Sequence, residues 1–127
     1  MNARFATKEK VKSKKEIEAL FSEGNSIAKY PVRLIYKKMT VEKEMDIRAA
    51  VSVSKRNFKK AVDRNRIKRL LRESYRKNKY LVHNNTTHQF AFMFLYTGKK
   101  IPEYIMIESK IKQLLKKFIT QEVQKNK

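Results

Sequence analysis

The stretch from His88 to Tyr96 constrains this chain most. Read as a strand, it sets Phe90, Phe92, Phe94 and Tyr96 on one face and Gln89, Ala91, Met93 and Leu95 on the other. A strand apolar on both faces is central to its sheet and covered on both sides. The aromatic row has two readings: a buried core face, or a platform on which bases stack. Apolar neighbours on the opposite face favour burial. The rest of the chain must therefore supply other strands beside this one and helices above it.

Those elements are legible. Ser13 with Glu16 three residues later forms a capping-box pattern, so a helix is expected from Ser13. Ile17, Leu20 and Phe21 are its apolar face and Gly24 its stop. Ser26 to Tyr30 and Val32 to Met39 read as two extended pieces joined at Pro31, which has no N–H for a ladder. Thr40 to Met45 is a charged loop. Ile47, Ala49, Val51 and Val53 alternate with Arg48, Ala50, Ser52 and Ser54, which predicts a strand. Pro102 and Glu103 open a last helix with an apolar stripe of Ile107, Ile111, Leu114, Leu115 and Phe118. Lys110, Lys112, Lys116 and Lys117 coat much of its remainder. The expected order is α-β-β-β-α-β-α, an α+β sandwich with helices packed on a sheet.

The 127 residues suit one domain, with residues 1–12 as a basic arm and 120–127 as a basic, frayed tail. Lys and Arg number 32 against 12 Asp and Glu, a formal net charge of +20. A small domain at that charge repels itself unless a polyanion neutralises it. Nucleic acid is the usual polyanion, and an anionic membrane surface is the competitor. Mere solubility needs a net charge of only about 2–8. There is no cysteine, so neither a disulfide framework nor a thiolate zinc site is available. That fits a reducing, cytoplasmic setting. The basic start lacks an apolar segment behind it, and the run Phe90 to Tyr96 is too short to span a bilayer.

The charge concentrates between Lys55 and Lys77, where eleven basic residues face Asp63 and Glu73 for a net +9. An ordinary solvated helix face alternates signs for i, i+4 support. Here like charges are set side by side. Wound at roughly 100° per residue, the segment gathers Ile67, Leu70, Leu71, Ser74 and Tyr75 on one side. Asn65, Lys68, Arg69, Arg72 and Arg76 gather opposite, with Arg66 at the edge of that sector and Arg64 nearer the apolar border. Such a helix packs on the sheet and turns guanidinium groups outward, where their planar forks engage phosphate oxygens bidentately. Phe58 to Val62 fall off this wheel and read as a preceding turn, with Asp63 as candidate N-cap.

Ser52-Val53-Ser54-Lys55-Arg56, followed by Ala61-Val62-Asp63-Arg64-Asn65-Arg66-Ile67-Lys68-Arg69-Leu70-Leu71-Arg72-Glu73, resembles the motif of the bacterial ribonuclease P protein family. The Arg-Asn-Arg-x-x-Lys-Arg-x-x-Arg core is more specific than a generic basic run, and the resemblance extends from about Val11 to Phe118. It implies a fold like domain 2 of ribosomal protein S5, with a left-handed βαβ crossover presenting the basic helix. It implies that Lys55, Arg56, Arg64, Asn65, Arg66, Lys68, Arg69 and Arg72 bind a catalytic RNA, ribonuclease P RNA. It further implies a cleft for the single-stranded 5′ leader of precursor tRNA, formed by Ile17, Phe21, Ile35, Tyr36, Ser52 and Ser54. The enzyme of this family is an endonuclease that hydrolyses one phosphodiester bond, with the chemistry performed by the RNA and its bound magnesium. No membrane and no obligate protein partner is expected.

The chain departs from the family pattern in places. Ile17 stands where relatives often carry a second aromatic one turn before Phe21. The aromatic Tyr36 competes with Ile35 for the cleft position on the second strand piece, and strict spacing favours Ile35. Asn57 to Lys60 lacks a glycine seen in some relatives.

A nuclease site within the protein would need clustered carboxylates or a histidine pair. Asp46, Asp63, Glu73 and Glu108 fall on separate elements. Glu108-Ser109-Lys110 matches a Glu-x-Lys fragment of some nucleases but sits on an amphipathic helix. His83 and His88 flank a polar loop. No catalytic or metal-binding residue is therefore expected. Three readings stand: a ribonuclease P protein, a ribosomal or chaperone-like RNA-binding protein of the same fold, and a ribonuclease acting alone.

Overall fold

The computed structural model describes residues 14–38, 47–83 and 90–123. Helix α1 (Lys14–Glu23) is followed by strands β1 (Asn25–Lys29), β2 (Val32–Lys38) and β3 (Ile47–Val53). Then come α2 (Ala61–Asn78), a one-turn α3 (Tyr80–His83), β4 (Phe90–Tyr96) and α4 (Tyr104–Phe118). Ile119–Val123 continue α4 as a π-helical turn. The expected order holds, with α3 as an addition. The basic arm, Ser13, the loop Thr40 to Met45 and His88 lie outside the described residues.

The sheet runs β1-β2-β4-β3. β1 and β2 pair antiparallel across the Tyr30–Pro31 connection, and β2 pairs antiparallel with β4. β3 pairs parallel with β4, so α2 lies on the crossover between them. β4 is thus an inner strand, as its two apolar faces require. Gly24 ends α1 as expected, its N–H donating to the Leu20 carbonyl at 3.0 Å. A Cβ at Gly24 would collide with that carbonyl oxygen and lie 2.8 Å from Ile35 Cγ2, so only glycine admits so close a turn into β1.

Alternation divides the sheet into two faces. Leu34, Tyr36, Ala49, Val53, Phe90, Phe92, Phe94 and Tyr96 face α2 and α4, meeting Ile67, Leu71, Tyr75, Ile107, Ile111, Leu114, Leu115 and Phe118 in the main core. The aromatic row of β4 is therefore buried core. Phe92 meets Phe118 edge-on at 5.0 Å and packs near Tyr75 at 6.2 Å. Edge-to-face pairs of this kind add about 0.5–1.5 kcal/mol each beyond their buried area. On the opposite face Leu20 of α1 packs with Ile35, Ala91 and Met93. The fold is a two-layer α+β sandwich with α1 laid across part of its second face.

Two features fix the helices. Asn78, buried at the end of α2, donates to the Ser74 carbonyl at 2.8 Å and to Glu108 of α4 at 3.2 Å. The Lys77 ammonium stands 5.4 Å from the centre of the Tyr104 ring. The tail expected to fray from residue 120 is helical to Val123, and the Tyr36 hydroxyl donates to Glu122 at 2.7 Å. Residues 124–127 lie outside the described ones. Burial, and then the Glu122 carboxylate, push the Tyr36 phenol well above its ordinary pKa.

Candidate nucleic-acid interface

Helix α2 separates its two sides as the helical wheel requires. Ile67, Leu71, Ser74 and Tyr75 are fully buried, and Leu70 is half-buried at their border. Asn65, Arg66, Arg69 and Arg72 are exposed and Lys68 is half-exposed. Among the described residues no acidic side chain pairs with Arg66, Lys68, Arg69 or Arg72. Arg76, by contrast, is tied to Glu73 one turn back, its Nε donating at 3.1 Å. The cations without an acidic partner among the described residues thus occupy the first two-thirds of the helix.

The helix begins earlier than expected. Lys60, extended, occupies the N-cap position without a side-chain cap, and the first helical residue is Ala61. Asp63 is therefore not the N-cap. It sits in the first turn, where a carboxylate still meets the positive end of the helix. The reason is local: Asp63 and Arg64 both donate their N–H groups to the Lys60 carbonyl at 3.2 Å. The start of the helix is set by backbone closure rather than by an aspartate cap.

The turn from Ser54 to Lys60 carries Lys55, Arg56, Lys59 and Lys60, all exposed. Its path is held internally. Ser54 Oγ accepts from the Arg56 N–H at 3.0 Å, and the Phe58 N–H donates to the Ser54 carbonyl at 3.1 Å. Phe58 is buried, its ring 6.0 Å from that of Tyr96. The Asn57 amide donates to the Gly98 carbonyl at 3.3 Å, which brings exposed Lys99 and Lys100 beside the turn. Those two lysines escaped sequence reasoning, because only the fold joins residues 57 and 98. Arg64, expected on the RNA-facing side, is half-buried and donates from Nη1 to the carbonyls of Phe58 and Lys59, both at 2.9 Å.

The second surface is the sheet face beneath α1. Strand register aligns Ile35 with Met93 and Met93 with Ala50, and Arg33 with Leu95 and Leu95 with Ser52. α1 covers Ile35 and Met93 through Leu20, while Ala50, Leu95 and Ser52 stay half-buried beside them. Phe21, the neighbour of Leu20 on α1, is 54% exposed. Ser54, one step past the strand, is exposed. Tyr36 does not join this surface. Its side chain points to the other face, 2% exposed, with Phe118 edge-on at 4.9 Å. Strand alternation puts Ile35, and not Tyr36, on the sheet face beneath α1. Ile17 lies on α1, with its side chain outside the described residues. Arg33, exposed and donating to Ser26 Oγ, and Leu95 pair across the strands on this same sheet face, which the sequence alone does not show. Cross-strand register is what reveals them.

The rows of exposed cations on α2 and the half-covered sheet face beneath α1 are two separate surfaces of the described residues. Among the described residues no three of His, Asp and Glu converge to bind an ion. Glu108 of the Glu-x-Lys fragment is engaged by Asn78 instead.

The profile of the family Ribonuclease P matches residues 5–119. The chain belongs to the ribonuclease P protein family. The ribonuclease P protein component of Porphyromonas gingivalis is 32% identical over 103 residues, covering 79% of this chain and 75% of that one. That of Chlorobaculum tepidum is 31% identical over 121 residues, covering 86% and 79%. The fold agrees as well. The RNase P protein of Staphylococcus aureus superimposes with a TM-score of 0.68 at 22% identity, over 91% of this chain and 96% of that one. The RNase P protein from Thermotoga maritima gives 0.69 at 22% identity, over 86% and 96%. Among the described residues of this ribonuclease P protein, no helix is long and apolar enough to cross a membrane.

Proposed function

We propose that this ribonuclease P protein binds ribonuclease P RNA through the outward face of α2 and the turn before it, and holds the 5′ leader of precursor tRNA in the groove beneath α1. The observation that carries the reading is the run of exposed cations, Arg66, Arg69 and Arg72, without acidic partners among the described residues, on a helix whose other side is fully buried. Guanidinium forks so placed suit phosphate oxygens. Asn65 and Lys68 extend that face, and Lys55 and Arg56 extend it onto the turn. In the groove, Phe21 offers a ring for stacking, and Ile35, Leu95, Ser52 and Ser54 form a floor with little charge.

In this reading the protein assists removal of the leader in the cytoplasm, and the RNA cleaves the phosphodiester bond. Magnesium is assigned to the RNA, since the carboxylates of the protein are dispersed among the described residues. The chain's own part is to bind and orient the substrate.

The absence of cysteine makes a mapping experiment direct. A photo-crosslinker attached through Asn65→Cys should label ribonuclease P RNA, and one attached through Ser52→Cys should label the leader of bound precursor tRNA. Labelling of the same RNA segment from both positions would contradict the division into two surfaces.

A further inference from the structure

Arg64 belongs to the basic motif, yet its side chain is turned inward. Nη1 donates to the Phe58 and Lys59 carbonyls, both at 2.9 Å, and the residue is half-buried. Those carbonyls lie in the turn that carries Lys55, Arg56, Lys59 and Lys60. Four cations within six residues repel one another and favour an open chain. No acidic side chain relieves them among the described residues. The end of the turn nearest α2 also lacks a side-chain cap at Lys60.

What holds the turn is therefore internal. The Ser54 carbonyl and hydroxyl fix its start, Phe58 is buried against Tyr96, and Arg64 closes its end. An arginine suits this closing position because its planar group holds a donor in a fixed plane, where an ammonium swings freely. The carbonyl dipoles in turn keep its charge solvated.

We propose that Arg64 is a positioning residue, a clasp that fixes the turn Ser54 to Lys60 on the first turn of α2. Lys59 and Lys60 are thereby presented together with Arg66, Arg69 and Arg72 as one rigid phosphate-binding surface. The functional half of this inference rests on the RNA-binding reading above; the structural half does not. A preformed surface loses less chain freedom on binding than a mobile loop does.

The test uses the full chain in two arms. Amide hydrogen exchange of the RNA-free protein is followed at Phe58, whose N–H donates to Ser54, and across β4 as a control. In Arg64→Gln, exchange at Phe58 should quicken by about tenfold or more while β4 keeps its protection. Affinity for ribonuclease P RNA is then measured for Arg64→Gln with Lys59 and Lys60 present, and again in the Lys59→Ala/Lys60→Ala background. The loss from Arg64→Gln should shrink by about threefold or more in that background, since the clasp has less left to position. Arg64→Lys keeps the charge but not the fixed fork, and should still quicken exchange at Phe58. This variant decides the matter if Arg64→Gln does not fold. Wild-type exchange at Phe58 in either variant, or equal affinity loss in both backgrounds, would overturn the proposal. Failure of the wild-type chain to bind the RNA would instead refute the RNA-binding reading, with the exchange arm still deciding whether Arg64 is a clasp.

Discussion

Leu20 and Phe21 are neighbours on α1 with opposite fates: Leu20 is 1% exposed under the helix, and Phe21 is 54% exposed. More than half of Phe21 stays in water, as the proposed stacking role requires.

Phe21→Ala should therefore barely change stability, by about 0.5 kcal/mol, as for other surface sites. It should weaken binding of precursor tRNA to the assembled ribonucleoprotein by about 1–3 kcal/mol, the worth of one base–aromatic stack. The loss should appear with a leader of several nucleotides and vanish with mature tRNA. Phe92→Ala is the contrasting core variant and should cost about 3–5 kcal/mol in unfolding free energy. Equal loss for both RNAs, or a core-sized loss of stability in Phe21→Ala, would remove Phe21 from the groove.

The cationic face of α2 makes a salt-dependence prediction. Log affinity for ribonuclease P RNA should fall with log salt at about −0.7 to −0.9 per neutralised phosphate. Substituting Arg66, Arg69 and Arg72 together by Ala should flatten that slope by up to about three units, near one per residue. Circular dichroism should stay native, because all three side chains are exposed. An unchanged slope in the triple variant would place the RNA elsewhere.

Gly24 links the helix to the sheet at close range. Gly24→Ala must push the Leu20 carbonyl or Ile35 aside. Its unfolding midpoint in denaturant should fall by an amount equivalent to about 1–3 kcal/mol, the usual cost of overpacking. Leader affinity should fall with it, because Ile35 is assigned to the proposed groove. A wild-type midpoint would show that the turn has slack.

The phenol of Tyr36 predicts an alkaline limit. Its pKa is raised by burial and by Glu122, so the folded state favours the neutral form. That stability is fully present below the unfolded value, near 10. It is lost progressively as pH rises above that value toward the higher folded one. Tyr36→Phe should unfold less steeply with pH above about 10. At neutral pH it should cost about 1–3 kcal/mol for the hydrogen bond to a carboxylate. Parallel alkaline unfolding curves for the two proteins would contradict this.

Much of the fold was legible because it is written in short-range periods. The two apolar faces of residues 90–96 made β4 an inner strand, and the wheel of residues 65–76 separated buried from exposed sides of α2. What escaped depends on contacts distant in sequence or on competing local closures. Arg64 sits near the apolar border on a wheel, but only the path of the Phe58 and Lys59 carbonyls shows that it turns inward. Asp63 is a good cap by residue type, yet the Lys60 carbonyl starts the helix first. Tyr36 and Ile35 differ by one step of strand alternation, which register settles and composition does not. Arg33 and Leu95 come together on one sheet face through cross-strand pairing alone.

The most direct test of the central claim is reconstitution. Precursor tRNA cleavage is measured at low magnesium with ribonuclease P RNA alone, with this protein alone, and with both. Site-specific release of the 5′ leader is expected only when both are present, and its loss when Arg66, Arg69 and Arg72 are replaced by Ala. Site-specific cleavage by the RNA-free protein, or no gain on adding the protein to the RNA, would contradict the claim.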